Sequence, residues 1–317
     1  MKILIIRLSS LGDIVLTQPI AAALRARYPK AQIDFITKPA FHTIVEKFDC
    51  IDNIINWDES LNCLKNLNKS HYDLCLDLHA KFNTLLIKTF CHAKQTVTYS
   101  KKHNLRKAIV KHRTDETISS TVQLYYSALE KAEIPYRFTN PQLFLKDQSP
   151  KDNAEKTIGI FPGATYKTKQ YPPEKIIDLI NLFQDDWQVI LFGSASEAAL
   201  SKQISASVKR PVQDLCGKLN LDQLCSQIAS LDLVISNDSG PMHIAAALDK
   251  PQIAIFGATD PALGFAPLNP KAVIFNHNIS CKPCSLHGAE TCPLKHFKCM
   301  LSLDNIQIYQ SIQKTLS

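Results

Sequence analysis

The sequence predicts an α/β protein made of two doubly wound parallel-sheet domains in tandem. Three observations predict it. Short β-branched runs alternate with longer amphipathic stretches along the whole of the 317 residues. The runs are apolar at successive positions rather than alternate ones, as in strands buried on both faces. The nine glycines are also uneven: Gly12 stands alone before residue 158 and the other eight follow it, so the two halves use different backbone chemistry. The length suits two domains. A hydrophobic content of 45% supplies apolar material for two cores, which excludes disordered, collagen-like and small disulfide-stapled chains.

From the N-terminus, KILIIRL (2–8) reads as the first strand because five of its seven residues are Ile or Leu. QIDFIT (32–37), NII (53–55), YDLCLDL (72–78) and TVTY (96–99) follow as strands on their β-branched and aromatic content. Apolar residues recur at helical spacing near 14–28, 39–48, 59–69, 82–91, 103–112 and 119–132, where helices are expected. In the second half TIGIFPG (157–163), WQVILFG (187–193), VQDL (212–215), DLVISN (232–237) and QIAIFG (252–257) read as strands. Helices are expected there near 173–185, 195–208, 221–230 and 239–248. Such alternation builds right-handed crossover units.

The stretch KDQSPKDNAEK (146–156) is polar, contains Pro150 and lacks apolar periodicity, so it marks the boundary. The expected division is an N-terminal domain 1–150, a C-terminal domain 151–302, and a last helix within 303–317 that could pack on either. Sheets of this kind bind ligands at the carboxyl ends of their strands. Two in tandem are expected to share a cleft there, and the active site is expected in it.

The formal net charge of +7 is concentrated. Between Leu78 and Thr114 there is no Asp or Glu, while nine Lys and Arg residues add +9, leaving −2 for the rest. A basic excess in one segment suits an anionic partner such as phosphates, anionic lipid or nucleic acid, and equally a solvated helix face. Only Tyr99 is an aromatic ring near residues 100–113, so the aromatic interleaving of a nucleic-acid binder is lacking. No apolar run approaches the roughly 20 residues of a membrane-spanning helix. MKILIIRLSSLGD meets Arg7 and Ser9 too early for a secretory leader, so a cytosolic chain is expected. Cys50, Cys63, Cys75, Cys91, Cys216 and Cys225 lie in apolar or helical contexts, where a reduced thiol acts as a small hydrophobe.

Three glycines follow strands directly, in IGIFPGAT, QVILFGSA and QIAIFGAT. Each permits a sharp turn or a close backbone approach to a ligand. The Gly-x-Gly-x-x-Gly and Gly-x4-Gly-Lys phosphate signatures are absent from the sequence. In LVISNDSGPMHIAAAL (233–248) a strand runs into Asp238 or Ser239 as N-cap, then Gly240, with the helix starting at Pro241. The amides of Ser239 and Gly240 make an anion site suited to a diphosphate, or simply an ordinary capped helix. His243 sets a polar ring on the first turn. Lys167 and Lys169 follow a strand end and are placed to neutralise phosphate oxygens. Glu197, after FGSAS, suits ribose hydroxyls or the helix dipole. In RLSSLGDIV, Gly12 puts Asp13 at the start of the first helix, as a stabilising first-turn acid or a general base.

These stretches resemble the ADP-heptose:lipopolysaccharide heptosyltransferases of glycosyltransferase family 9 over nearly the whole chain. The resemblance is carried by RLSSLGDIVLTQPIAAALRARYP, FPGATYKTKQYPPEK, VILFGSASE and SNDSGPMHIAAALDKPQIAIFGATDP. It implies the GT-B fold of two facing Rossmann-like domains and an inverting, metal-independent transfer of heptose. The implied donor is ADP-L-glycero-D-manno-heptose. The implied acceptor is the lipid A-linked inner core of lipopolysaccharide, at a Kdo or a heptose, reached by a peripheral protein on the cytoplasmic face of the inner membrane. Carried over by position, Asp13 is the catalytic base. Thr165, Lys169, Ser239, Gly240 and His243 contact the donor diphosphate, Asp238 the sugar hydroxyls, Glu197 the ribose and Leu219 the adenine edge. Tyr171 stands where the family usually has Trp, and donor packing is expected to survive. The basic segment then gains a role toward an anionic acceptor and membrane, with Lys101, Lys102, Arg106 and Arg113 as the chosen residues.

The last cysteines, Cys281, Cys284, Cys292 and Cys299, have His287 and His296 among them. Their first pair has zinc-ligand spacing and the later gaps are irregular, leaving a zinc knot or a loop of thiols or disulfides open. No cofactor is expected to be required. Other readings are the same fold with another nucleotide sugar, or a non-catalytic nucleotide- or nucleic-acid-binding protein.

Overall fold

The computed structural model describes residues 1–146 and 155–317, so most of the expected linker at 146–156 lies outside the described residues. The chain forms two compact units. The first comprises Met1–Lys102 and Ser120–Leu145, the second His103–Ser119 and Lys146–Ser317.

The first unit holds β1 (Lys2–Ile6), α1 (Leu11–Val15), α2 (Gln18–Arg27), β2 (Gln32–Thr37), α3 (His42–Val45), β3 (Asn53–Asn56), α4 (Leu61–Asn68), β4 (Leu74–Asp77), α5 (Thr84–Phe90) and β5 (Gln95–Thr98). α6 (His103–Val110) belongs to the second unit, and α7 (Thr121–Lys131) returns to the first. The sheet order is β3-β2-β1-β4-β5, with every pairing parallel. Ile3 to Ile6 are fully buried, as their unbroken apolar run requires. The helix expected at 14–28 is two helices, because Pro19 stands in the first turn of α2 and the Thr17 hydroxyl turns back to Ile14 O at 2.7 Å. The helix expected at 39–48 likewise shrinks to a 3-10 turn from Pro39 followed by the short α3.

The second unit adds β6 (Thr157–Phe161), α8 (Pro173–Ile180), β7 (Gln188–Leu191), α9 (Ala198–Ser207), β8 (Gln213–Asp214), α10 (Leu221–Ser230), β9 (Leu233–Asn237), α11 (Gly240–Ala247), β10 (Gln252–Phe256), β11 (Ala272–Asn276), α12 (Lys298–Leu301) and α13 (Asn305–Leu316). Its sheet runs β11-β10-β9-β6-β7-β8, again all parallel. β11 is a strand that the sequence reading lacks. The last helix settles on this unit, with Ile308 and Ile312 buried in a core shared with Ile176, Leu179 and Ile180 of α8. Segment 103–119, expected in the N-terminal domain, is held to the second unit. Ile118 N donates to Ala262 O at 2.9 Å, and Arg106 stacks on Phe265.

In both sheets the winding reverses direction next to the first strand of the unit, between β1 and β4 and between β6 and β9. Ligands of open α/β sheets bind outside the carboxyl ends at such switch points. Residues 7–13 and 78–80 lie at the first of these positions. Residues 162–169 and 237–240 lie at the second.

Candidate active site

At the first switch point, β1 ends at Ile6 beside Asp77 of β4, and Arg7 follows with its guanidinium turned back on the main chain. Nε donates to Ser9 O at 2.7 Å and Nη1 to Leu78 O at 2.6 Å, while Nη2 meets Asp13 Oδ2 at 2.6 Å. Asp13 stands in the first turn of α1. Its Oδ2 also accepts from the Ser10 hydroxyl at 2.8 Å and the Ser10 amide at 3.3 Å, and its Oδ1 accepts from the Tyr125 hydroxyl at 3.0 Å. The Asp13 side chain keeps 22% of its surface exposed, against 7% for Arg7.

Burial pushes the Asp13 carboxyl up, but Arg7 and the Ser10 and Tyr125 hydrogen bonds outweigh it and hold the pKa at about 2. The group is therefore an ionised, partly accessible carboxylate under any ordinary condition. Such a group is a weak base at rest. It takes a proton readily only when the donor oxygen has itself become acidic, as a hydroxyl does while forming a bond to a carbon centre. Nearby, burial and then the Arg7 charge lower the His79 pKa to about 4, so that ring is neutral.

At the second switch point, Lys169 Nζ lies 2.9 Å from Asp238 Oδ2, which also accepts from the Thr259 hydroxyl at 2.7 Å. Asp238 thus turns its carboxylate to Lys169 and Thr259. Ser239 occupies the N-cap position of α11, which begins at Gly240 rather than at Pro241, and its hydroxyl contacts Asn237 O at 3.3 Å. His243 is buried in that helix. Asn237 holds the loop after β6: its amide donates to Pro162 O at 2.9 Å and Gly163 O at 3.1 Å, and its oxygen accepts from Tyr171 N at 2.9 Å.

Glu197 accepts from Ser194 N at 2.7 Å and from the Ser194 hydroxyl at 2.8 Å. It packs against Gly163, where a Cβ would lie 1.6 Å from Glu197 Oε1, so a larger residue there would push this carboxylate aside. Thr165 is exposed in the β6 loop, and Leu219 is half-buried just before α10. The structure therefore gathers Lys169 and Asp238 next to Ser239 and Gly240, with Asn237 tying these to the Gly163 and Glu197 side.

Tyr171 is buried, and its hydroxyl donates to Asn305 Oδ1 at 2.6 Å. Of the four basic residues, Lys101 and Lys102 belong to the first unit and Arg106 and Arg113 to the second. Lys102 and Arg113 are exposed, and Lys101 Nζ donates to Ala80 O at 2.5 Å. Arg106 is buried, with a guanidinium nitrogen donating to Leu263 O at 3.3 Å, so its charge faces inward. The zinc option for Cys281, Cys284, Cys292 and Cys299 finds no ligand cluster. Among the described residues no three His, Cys, Asp or Glu side chains are gathered for a metal ion. Cys284 Sγ turns instead to Cys281 O at 3.0 Å. No helix among the described residues is long and apolar enough to cross a membrane.

Sequence reasoning did not assign roles to Asn237, Ser10, Tyr125 or Thr259, or to Arg7 as the partner of Asp13. Ser10 alone carried a local signal, as the residue three before Asp13 in a capping-box spacing.

The glycosyltransferase family 9 (heptosyltransferase) pattern matches residues 61–297. Lipooligosaccharide heptosyltransferase 2 of Campylobacter jejuni subsp. jejuni serotype O:6 is 28% identical over 325 residues, covering 99% of both chains. Among solved structures, E. coli ADP-heptose lps heptosyltransferase II superposes with a TM-score of 0.80 at 23% identity, over 100% of this chain and 98% of that one. E. coli heptosyltransferase WaaC with ADP superposes with a TM-score of 0.75 at 19% identity, over 99% and 100%.

Proposed function

The chain belongs to glycosyltransferase family 9, the heptosyltransferases, and from that premise we propose that it transfers heptose from ADP-L-glycero-D-manno-heptose to the inner core of lipopolysaccharide. The reaction inverts the anomeric centre and needs no metal. The acceptor hydroxyl attacks the anomeric carbon, its proton passes to Asp13, and the bond to the diphosphate oxygen breaks with its electron pair leaving on ADP. The relatives named lipooligosaccharide heptosyltransferase 2 and the solved heptosyltransferase with ADP support this donor and acceptor class.

The second unit takes the donor. Lys169 and the N-terminus of α11, with the amides of Ser239 and Gly240, supply positive charge where the leaving diphosphate develops negative charge. Thr165 and His243 complete that phosphate site, Asp238 takes sugar hydroxyls, Glu197 the ribose and Leu219 the adenine edge. The first unit takes the acceptor hydroxyl at Asp13. Lys101, Lys102 and Arg113 are assigned to the acceptor's carboxylates and phosphates and to anionic lipid on the cytoplasmic face of the inner membrane. The observation that carries the reading is the pair of strand-end carboxylates. Asp13 is ionised and partly accessible, and Asp238 is fixed beside a lysine and a helix N-terminus.

Nucleoside diphosphate release with ADP-heptose and with uridine-linked sugars, with and without a core acceptor, tests it. Wild type is expected to release ADP in the presence of acceptor. Asp13→Asn is expected to be slower by about 10²- to 10⁴-fold, the range of a general base. A preference for a uridine donor refutes the heptose assignment, and a mutant within threefold of wild type, a factor of about 0.6 kcal/mol, removes Asp13 as base.

A further inference from the structure

The Cys-rich loop 281–299 and Gly288 have no part in the chemistry above, yet the loop is fastened to the second unit at three places. Lys282, itself buried, donates from Nζ to Phe256 O at 3.0 Å and bonds the Asn276 side chain. Cys284 N donates to Ala258 O at 2.8 Å, and Ala258 N donates in turn to Thr168 O at 3.1 Å. The third fastening is a reciprocal clasp with Thr168. Thr168 N donates to Ala289 O at 3.0 Å, and the Thr168 hydroxyl accepts from Ala289 N and donates to Ala289 O, both at 2.8 Å.

Gly288, next to that clasp, has φ +98°, in the left-handed region that favours glycine. A Cβ there would lie 2.8 Å from Tyr166 Cβ, 2.9 Å from Lys169 Cγ and 3.0 Å from Lys169 Cδ. The bare α-carbon is thus packed on the aliphatic stem of the lysine whose ammonium lies 2.9 Å from Asp238. The loop holds Lys169 twice, by the main chain of the residue before it and by its own stem.

We propose that the 281–299 loop positions the donor-binding lysine, with Gly288 and Thr168 as the positioning residues. The proposal rests on the reading of Lys169 as the diphosphate contact. A lysine stem has several rotatable bonds, and a stem already fixed loses less freedom when its ammonium binds a phosphate. A methyl group at Gly288 forces either Tyr166 or the Lys169 stem to move. Loss of the Thr168 hydroxyl opens the clasp one residue before the lysine.

Steady-state kinetics of Gly288→Ala, Thr168→Val and Thr168→Ser, each alone and combined with Lys169→Met, tests this. Gly288→Ala and Thr168→Val are expected to raise the donor KM about tenfold, equivalent to about 1.4 kcal/mol, with the acceptor KM within about twofold. Thr168→Ser keeps the hydroxyl and should stay near wild type. In the Lys169→Met background neither change should raise the donor KM further, because the group they position is gone. A lowered Tm or kcat with an unmoved donor KM overturns the proposal, as does full additivity with Lys169→Met. If Lys169→Met alone leaves the donor KM unchanged, the reading of Lys169 falls and this inference with it. If it raises that KM while Gly288→Ala and Thr168→Val do not, the inference alone falls.

Discussion

Replacing Arg7 with Gln removes the charge beside Asp13 while keeping an N–H that can still serve Ser9 O or Leu78 O. In the native protein burial raises the Asp13 pKa, and Arg7 leads the groups that bring it down from the ordinary 3.8 to about 2. That difference corresponds to about 2 kcal/mol. Because the folded value lies below the unfolded one, this stability is fully present above pH about 4 and disappears as pH falls through about 2. Without Arg7 the burial contribution loses its main opponent, and the carboxyl's pKa rises.

Two assays follow. In urea unfolding, the stability gap between wild type and Arg7→Gln should shrink by about 1 kcal/mol between pH 7 and pH 3, the part of Asp13's contribution that protonation removes over that interval. In the pH profile of kcat/KM, wild type should show no acid limb from Asp13 above pH about 4. Arg7→Gln should show an acid limb moved to higher pH than in wild type, since a protonated Asp13 cannot accept a proton. A stability gap independent of pH together with an unchanged profile would refute the coupling of Arg7 to Asp13.

Asn237→Ala removes the donors to Pro162 O and Gly163 O and the acceptor of Tyr171 N, at a buried position. The expected cost is about 3 kcal/mol for the orphaned groups, a fall in Tm of about 6–12 °C, measured by thermal unfolding. A Tm within 2 °C of wild type, about 1 kcal/mol or less, would show that the loop does not depend on this side chain. Asp238→Asn neutralises the partner of Lys169 at nearly constant shape, so the ammonium is released to phosphate. ADP product inhibition should tighten several-fold while transfer slows, and weaker ADP inhibition would contradict an exchangeable Lys169.

Much of the fold was legible because strands buried on both faces leave continuous apolar runs. β1, β9 and β10 are the clearest cases. β11 was not, since none of its residues is fully buried and its AVIFN run is a single short signal at the sheet edge. The break between α1 and α2 was written in Pro19 and read through. The placement of 103–119 had no local signal, because α6 reads the same whichever sheet it packs on. The deciding contacts, Arg106 with Phe265 and Ile118 with Ala262, join segments far apart in sequence.

At the site, Asp13, Lys169 and Asp238 were legible because each follows a strand end near a glycine or a helix start. Arg7 and Asn237 stand at strand ends too, but what they hold, Leu78 O and Pro162 O, is set by which strands are neighbours. Sheet order is not readable from residue types.

Both units set a carboxylate against a cation at the switch point, but with different cations, and the difference suits the proposed roles. Arg7 presents a planar fork of three nitrogens in fixed directions. Its Nε and Nη1 are held by Ser9 O and Leu78 O, which aims Nη2 at Asp13. A cation locked in this way cannot follow a ligand. It holds a carboxylate in one geometry and keeps it ionised, which suits a group that must meet a hydroxyl at a set angle. Lys169 is a point charge on a flexible stem, and its ammonium can leave Asp238 for a phosphate oxygen without breaking a main-chain contact of its own. That freedom has to be bounded if the lysine is to return to the same place in each turnover, and the Gly288 contact on its stem bounds it while leaving the ammonium free to exchange.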